Sequence, residues 1–195
     1  MNEPTNIEKL IYFLSKYIEV TQEEKDFLQN IIQNIIFKKK EIIHQQGKIQ
    51  KNIGFIVKGS ARVFYIDDSG NEDTFEFVFE NTTIGEYRNL ITQEISPASA
   101  QAMEETEVIY ITKEDFLEFM KKFPQYYTVI TEIMGDALSS GITRNKMSRI
   151  SSSRERYEEF CKTYDDFFQR IPLTYIASYL NMTLATLSRV RAGKL

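Results

Sequence analysis

The sequence is poor in the residues that build metal, redox and hydrolytic sites. Its 195 residues include one cysteine, Cys161, and one histidine, His44. One cysteine cannot form an internal disulfide, and one cysteine with one histidine is too few for a typical zinc or iron–sulfur site. A hydrolytic triad would have to use His44, and no nucleophile motif surrounds it. We therefore expect no enzyme activity, no cofactor and no metal, with Cys161 as a buried thiol and His44 as a partly exposed strand residue.

Long apolar runs are also missing. No segment approaches the roughly 20 apolar residues of a membrane helix. The first ten residues are acidic and polar, without the basic and then apolar pattern of a signal peptide. Hydrophobic residues nevertheless make up 42% of the chain and charged residues 27%, which is typical of a folded globular protein. These features predict a cytoplasmic protein of one mid-sized domain or two small domains.

Charge is distributed unevenly along the chain, although its net value is only −4. Residues 141–195 contain ten basic and five acidic side chains, whereas the first 140 residues contain 14 basic and 23 acidic ones. The C-terminal segment is therefore +5 and the remainder −9. A basic tail on an acidic body indicates two domains and favours a phosphate-facing surface in the second.

Hydrophobic periodicity separates an N-terminal helical part from a strand-rich part. Residues 7–34 predict two helices. The second begins with a capping box at Thr21 and Glu24, and its apolar face is formed by Leu28, Ile31, Ile32 and Ile35. Short strands separated by glycines follow, and they are predicted at residues 41–44, 53–57, 60–66, 73–79 and 107–111. A tight hairpin turn is predicted at residues 67–71. Regular short strands of this kind indicate a small barrel or roll.

A long helix is predicted from about Pro124 to Ser148, because proline suits a first helical turn. One stripe of this helix has the 4, 3, 4 spacing of a coiled coil, and its residues are Ile130, Met134, Ala137 and Gly141. We expect this stripe to form a dimer interface, and the alternative is a helix that packs on its own roll. A polar break at residues 149–153 precedes a further helix over 154–168, whose aromatic face contains Tyr157, Phe160, Tyr164 and Phe168.

The last 25 residues predict a helix-turn-helix. The first helix has an inner face of Leu173, Ile176, Ala177 and Leu180. Asn181 suits the left-handed conformation of a tight turn, and Thr183 suits the N-cap of a second helix. Leu187 and Val190 of this second helix are expected to pack inward. The opposite face carries small residues and an arginine, which is the pattern of a DNA-reading helix. The alternative is a two-helix surface that docks a protein.

These motifs resemble the Crp/Fnr family of regulators over nearly the whole chain. The similarity at the C-terminal end includes Arg156-Tyr157, the segment 176–180, Thr183 and the segment 186–189. It also includes Ile56–Arg62 in the strand region and Gly85-Glu86, which matches the start of the family's phosphate-binding cassette. The resemblance implies an α+β fold, with an N-terminal double-stranded β-helix (a cupin-like β-roll), a long dimerisation helix and a C-terminal helix-turn-helix domain without a full wing. The corresponding domains are residues 1–123, 124–148 and 149–195.

The function that the resemblance implies is transcription regulation by a homodimer that binds double-stranded DNA at a two-fold symmetric site, with RNA polymerase as a further partner. The recognition helix would run from Thr183 to Lys194, with Arg189 as the candidate for reading guanine. Leu184 and Ala185 stand where better-known members have arginine and glutamate, so the family's base preference is not transferred. Leu184 is either a thymine-methyl contact or a core residue. The DNA-binding candidates are Thr183, Leu184, Ala185, Ser188, Arg189, Arg191 and Lys194.

The ligand cassette departs from the cyclic-nucleotide members of the family. In those members an arginine neutralises the cyclic phosphate, and Ser96 stands at that position here. No lysine or arginine occurs between Asn89 and Met103. A buried phosphate without a cation costs several kcal/mol, so we expect no tight binding of cyclic AMP and either an unknown effector or none. The candidate ligand residues are Gly85, Glu86, Arg88, Ser96 and Ser99. The alternative for Gly85-Glu86 is a turn glycine and a solvated acid.

Overall fold

The computed structural model describes residues 4–150 and 152–194. Two helices come first, α1 (Asn6–Leu14) and α2 (Gln22–Ile31). The predicted capping box of α2 is confirmed, because the Thr21 N–H donates to the Glu24 carboxylate at 2.6 Å and the Glu24 N–H donates to Thr21 Oγ1 at 3.3 Å. The prediction of a helical Ile35 is wrong. α2 ends at Ile31, and Ile35 lies in a strand that pairs with Val108.

Eight strands form the roll that the sequence predicts. They are β1 (Gln33–Phe37), β2 (Ile42–His44), β3 (Asn52–Lys58), β4 (Ala61–Ile66), β5 (Glu72–Val78), β6 (Thr82–Ile84), β7 (Ser99–Ala102) and β8 (Thr106–Thr112). Two antiparallel four-stranded sheets result, in the orders β1-β8-β3-β6 and β2-β7-β4-β5. Apolar residues of both sheets share one core, which includes Ile56, Val63, Val78 and Val108. Sequence patterns did not predict β1, β6, β7 or the short helix α3 (Tyr87–Thr92) between β6 and β7.

The predicted hairpin turn at residues 67–71 joins β4 and β5. Oδ1 of Asp67 accepts from the N–H groups of Ser69 and Asn71, each at 2.9 Å. Gly70 has a φ of +82°, a conformation that costs glycine little and other residues more. The side-chain hydrogen bonds that stabilise this turn therefore come from a residue within it.

Helices α4 (Lys113–Lys122) and α5 (Tyr126–Ile150) follow the roll. The start of α5 is anchored because Tyr126 and Val129 are buried with residues of α2 and α4. The C-terminal part contains α6 (Ser153–Thr163), a 3₁₀ turn (Phe168–Arg170), α7 (Leu173–Tyr179) and α8 (Leu184–Arg191). The helix predicted over 154–168 thus ends early, and Phe168 begins the 3₁₀ turn. The predicted break at 149–153 includes Ser151, which lies outside the described residues.

One apolar cluster joins the roll to the C-terminal helices. Phe77, Phe79 and Met103 of the roll belong to the same buried cluster as Phe160 and Ile176 of the helical part. α7 packs along β5, the edge strand of its sheet. The Thr74 N–H of that edge donates to Ser178 Oγ at 2.8 Å, which satisfies a backbone group that an uncovered edge would expose. The domain boundaries at 123 and 148 stay predictions.

Candidate nucleic-acid interface and ligand cavity

The turn between α7 and α8 has the geometry that the sequence predicts. Asn181 has a φ of +51°, in the left-handed region. The Met182 N–H donates to the Ala177 carbonyl at 3.0 Å, which closes the turn. Thr183 then caps α8, because its hydroxyl accepts from the Thr186 N–H at 3.1 Å. The small side chain of Ala177 is buried between the two helices. One prediction for α7 is wrong, since Leu173 is exposed rather than part of the inner face.

The two faces of α8 are clearly separated. Leu187 and Val190 are buried, as predicted. The opposite face is exposed and contains Ala185, Ser188 and Arg189. Leu184 is 50% exposed, which decides against the alternative of a core residue. Thr183, Arg191 and Lys194 are also exposed, so all seven DNA-binding candidates lie at the surface of one helix and its ends.

A buried arginine that the sequence analysis did not select connects α7 to the roll. Arg62 is 2% exposed and lies on β4. Its guanidinium carbon is 4.0 Å from the centre of the Phe64 ring and 3.9 Å from that of Tyr175 on α7. It also pairs with Glu72 and donates to Gln101 Oε1 at 2.8 Å. An arginine is almost never fully buried unless it is paired, and here part of the compensation comes from the C-terminal domain.

A second arginine, which belongs to the C-terminal part, pairs with residues of the roll. Arg170, in the 3₁₀ turn, pairs with Glu80 at 2.7 Å and with Glu104, both of the roll. Burial opposes the ionisation of Glu80, but hydrogen bonds from Arg170 and from backbone N–H groups, including that of Gly59, outweigh it and hold the pKa of Glu80 below its ordinary value. The hydrogen bonds that Arg170 donates to Glu80 and Glu104 raise the pKa of Arg170. These ion pairs favour the docked arrangement of the two parts.

The candidate ligand residues Gly85 and Glu86 border a cavity of about 600 Å³ between the roll and α5, here called the roll cavity. Its walls include Val63, Glu76 and Val78 of the roll and Met134 and Ala137 of α5. Burial raises the pKa of Glu76, which the charge of Arg144 partly offsets, and burial also raises the pKa of Glu86. The lining of the roll cavity therefore combines three acidic side chains, Glu76, Glu86 and Asp136, with two cationic ones, Lys16 and Arg88.

The buried side chain of Gln50 hydrogen-bonds to the backbone of Glu86, in the segment that matches the phosphate-binding cassette. The Glu86 N–H donates to Gln50 Oε1 at 3.0 Å, and Gln50 Nε2 donates to the Glu86 carbonyl at 3.3 Å. Gly85 has a φ of +108°, and a Cβ built on it would lie 2.7 Å from Gln50 Nε2. The conformation therefore favours glycine here, and a larger residue would also displace the end of the Gln50 side chain. The Glu86 N–H, a natural donor to a phosphate, is already paired.

The other three ligand candidates do not join Gly85 and Glu86 as a set. Ser96 and Ser99 are buried, and neither lines the roll cavity. The Ser96 hydroxyl donates to the Ala98 carbonyl at 2.8 Å, and Ser99 Oγ accepts from the Gln46 N–H at 2.9 Å. Both serines thus hydrogen-bond to the backbone of the roll, and their place in the ligand set stays a prediction. Arg88 lies on the rim of the cavity, where it is exposed and pairs with Glu94 at 3.3 Å.

The dimer stripe predicted on α5 contains both half-buried and exposed residues, and its role as an interface stays a prediction. Ile130 is half-buried and packs against the chain's own cluster around Phe119, while Gly141 is also half-buried. Met134 and Ala137 are exposed. Three aliphatic side chains of the helix are exposed by half or more, and they are Met134, Leu138 and Ile142. Their spacing of four residues places them on one side, next to the predicted stripe and sharing Met134 with it.

His44 and Cys161 are the one histidine and the one cysteine of the sequence. His44 lies in β2 and is half-buried, as predicted, and burial lowers its pKa to about 4. Cys161 is half-buried rather than fully buried, within the aromatic cluster of the C-terminal domain. Within residues 4–150 and 152–194, no group of three or more His, Cys, Asp and Glu side chains has an arrangement suited to a metal. Among the described helices, none combines the length and apolar composition needed to cross a bilayer.

Comparisons with known proteins agree with this architecture. Residues 35–123 match the family model for the cyclic nucleotide-binding domain. The cyclic AMP receptor protein of Thermus thermophilus is 26% identical over 102 residues, which cover 52% of this chain and 47%, about half, of that protein. The transcriptional activator protein Anr of Pseudomonas aeruginosa is 24% identical over 185 residues, 89% of this chain and 75% of Anr.

Structural similarity extends across both parts of the chain. FixK2 from Bradyrhizobium japonicum has a TM-score of 0.75 at 16% identity, with 84% of each chain covered. That likeness concerns the fold, and it spans the roll and the helices that follow it. In its cyclic nucleotide-binding domain match, its relatives and the helix-turn-helix geometry of α7 and α8, the chain resembles the Crp/Fnr family of transcription regulators.

Proposed function

We propose that the protein is a homodimer that binds a two-fold symmetric site on double-stranded DNA, with α8 of each protomer in the major groove. The observation that carries this proposal is the exposed face of α8. Leu187 and Val190 anchor the helix while Arg189, Arg191 and Lys194 remain at the surface. A small-residue face flanked by cations allows close approach to base edges and phosphates. The +5 charge of residues 141–195 supports the same reading.

The test is selection of genomic fragments with the purified full-length protein, followed by measurement of affinity for the selected DNA at several salt concentrations. Neutralised phosphates release counterions, so log affinity should fall linearly with log salt with a slope of about −0.9 per phosphate contact. Failure to enrich any sequence, together with a flat salt dependence, would contradict the proposal. The alternative, that the helical C-terminus is a surface for docking a protein, predicts that outcome.

The effector is proposed to be something other than cyclic AMP. Ser96 stands at the position of the phosphate arginine, and Gln50 accepts the hydrogen bond of the Glu86 N–H. A cyclic phosphate would therefore lack both the cation and the backbone donor that the family's cassette provides. Thermal unfolding with and without cyclic AMP tests this. A ligand present at 100 times its dissociation constant adds about 2.7 kcal/mol of stability, so a clear rise in melting temperature at micromolar cyclic AMP would contradict the proposal.

A regulator of this kind acts where DNA and RNA polymerase are, so the proposal includes a cytoplasmic location, contact with RNA polymerase and no catalytic activity of its own. The relatives bear on the third point, because the family consists of transcription regulators. Contact with polymerase is tested by transcription in vitro from a promoter that contains the selected site. Activation or repression that depends on that site supports the proposal.

A further inference from the structure

A cavity distinct from the roll cavity opens where α5, β5, α6 and α7 meet. Its volume is about 460 Å³, which is within the usual range of small-molecule sites. The walls come from the roll, from α5 and from the C-terminal domain, and the residues used below are Glu76, Ser140, Arg144, Arg156, Tyr164 and Tyr179. We call it the junction cavity. It shares Glu76 and Ser140 with the roll cavity, so the two spaces adjoin.

Aromatic rings form much of the junction cavity. Phe160 and Tyr164 have ring centres 4.9 Å apart, and Tyr164 and Tyr179 have theirs 5.8 Å apart in an edge-to-face arrangement. Phe77 adds a ring 6.2 Å from that of Phe160. Phe77 and Phe160 are buried, whereas Tyr164 and Tyr179 are half-buried and border the cavity, where a planar group can pack against their rings. The cavity is thus suited to an aromatic ligand.

Two arginines give the same wall a positive charge. The guanidinium carbon of Arg144 lies 5.8 Å from the centre of the Tyr179 ring, and Arg156 Nε donates to the Leu180 carbonyl at 3.0 Å, which fixes its guanidinium at the wall. The guanidinium group matches a carboxylate or phosphate with two parallel hydrogen bonds. Among the described residues of this wall, Glu76 is the one that carries a carboxyl group, so the two arginines outnumber it.

We propose that the junction cavity is a second ligand site, which takes a small aromatic anion such as an aryl phosphate or aryl carboxylate. The ring of the ligand lies against Tyr164 and Tyr179, and its anionic group meets Arg144 and Arg156. Such a ligand contacts the roll, α5 and the C-terminal domain at once, and therefore stabilises the arrangement in which they are docked. Binding itself does not depend on the DNA-binding function, so the two proposals can fail separately.

The experiment is isothermal titration calorimetry of the full-length protein with phenyl phosphate. Inorganic phosphate, which has the charge without the ring, and benzyl alcohol, which has the ring without the charge, are titrated in parallel. The expected dissociation constant for phenyl phosphate is at least about tenfold lower than for either fragment, since both halves of the site contribute. The variant Arg144→Gln should raise that constant at least about tenfold, because it removes a charge-assisted hydrogen bond.

Arg88→Gln is the matched control, because Arg88 borders only the roll cavity and should leave the affinity for phenyl phosphate unchanged. Circular dichroism establishes that each variant is folded. If Arg144→Gln does not fold, Thr163→Phe decides, since Thr163 is exposed in the wall of the junction cavity and a larger side chain there obstructs it. The proposal is overturned by absence of binding at millimolar phenyl phosphate, by equal affinity in the folded Arg144→Gln variant, or by loss of binding in Arg88→Gln.

Discussion

The guanidinium group of Arg62 and the ring of Tyr175 stack 3.9 Å apart, although the two residues belong to the roll and to the helix-turn-helix. Arg62 lies on β4, is buried, and also stacks on Phe64. A buried cation depends on every partner that replaces its water. If the C-terminal domain leaves the roll, one face of Arg62 loses its cover. The contact between Arg62 and Tyr175 therefore couples the stability of the roll to the position of the helix-turn-helix.

The first prediction concerns this stack. Tyr175→Leu removes the ring and should lower the free energy of unfolding by about 1–2 kcal/mol, the range of a desolvated cation–π pair. Tyr175→Phe is the matched control, because it keeps the ring and gives up only the phenol hydroxyl, whose contact with Gln101 Oε1 is long at 3.4 Å. Urea unfolding followed by circular dichroism measures both. If both variants lose the same free energy of unfolding, the stacking of Arg62 on the ring does not contribute to stability.

The second prediction concerns the ion pairs of Arg170 and is pH-dependent. Arg170→Gln should lower the free energy of unfolding by about 1–3 kcal/mol near pH 7, since it removes hydrogen bonds between charged groups. The pKa of Glu80 lies below its ordinary value of 4.5 in the folded protein. A carboxyl group of this kind stabilises the fold above its unfolded-state pKa, and the contribution is lost as the pH falls through the folded-state pKa.

The stability difference between wild type and Arg170→Gln should therefore shrink as the pH is lowered below about 4.5. Urea unfolding at a series of pH values measures that difference directly. Arg154→Gln is the control, because its pair with Glu158 at 2.9 Å is exposed on both sides and should contribute little at any pH. If the stability difference between wild type and Arg170→Gln stays constant down to pH 3, the contribution of Arg170 does not depend on the ionisation of Glu80.

Local signals explain which parts of the fold were predictable. The capping box of α2, the turn at residues 67–71 and the Asn181–Thr183 turn each form from residues close together in sequence, and all three were predicted. β1 was missed because Ile35 and Ile36 are both exposed, so the strand has no alternating pattern, and it forms by pairing with β8 more than 70 residues away. β6 and β7 have only three and four residues, too few for periodicity to appear.

In the functional regions, too, features set by residues close in sequence were predictable and features set by distant contacts were not. The two faces of α8 follow from helical spacing, so Leu187 and Arg189 could be assigned to opposite sides from the sequence alone. Arg62 could not be assigned, because an arginine in a strand is normally read as solvent-facing, and its burial depends on Tyr175, 113 positions later. Its place within the buried run from β3 to β4 was the only available signal. Ser96 was placed by its spacing in the family's cassette, and that spacing does not reveal that the Ser96 hydroxyl donates to the Ala98 carbonyl.

The third prediction uses the half-buried imidazole of His44. Burial lowers its pKa from 6.5 to about 4, so the folded protein resists protonation that the unfolded chain accepts. Stability should therefore fall as the pH drops from 6.5 toward 4. Between about pH 7.5 and pH 4.5, wild type should lose roughly 2–3 kcal/mol more than His44→Gln, which cannot titrate in this range. Parallel pH dependences in urea unfolding of the two proteins would contradict the assignment to His44.

The fourth prediction tests dimerisation through α5. Leu138 is 67% exposed and lies between Met134 and Ile142 on the helix. Wild type should scatter light as a particle of twice 22.9 kDa at micromolar concentration, whereas Leu138→Glu should dissociate, because the variant places two carboxylates in an apolar interface. Leu117→Glu is the matched control, since Leu117 is an exposed leucine on α4. A monomeric wild type, or equal dissociation of both variants, would contradict an interface on this helix.

The fifth prediction distinguishes the reading of bases from the binding of phosphates. Arg189 is exposed on the side of α8 opposite Leu187 and Val190, together with Ala185 and Ser188. When the helix packs into the major groove by that side, the Arg189 side chain reaches base edges and can hydrogen-bond to O6 and N7 of guanine. Arg191 and Lys194 lie at the end of α8 and beyond it, where the DNA backbone passes.

Arg189→Ala should cost about 1–3 kcal/mol in affinity and relax the preference at one base pair of each half-site. Lys194→Ala should weaken binding to all sequences equally and reduce the salt slope by about one. The two half-sites should lie about one helical turn apart, because a two-fold dimer presents both copies of α8 to one face of the DNA. The measurement is separate selection of binding sites with each variant. If both variants retain the wild-type base preferences and differ only in affinity, Arg189 does not read a base, and α8 meets the groove in another orientation.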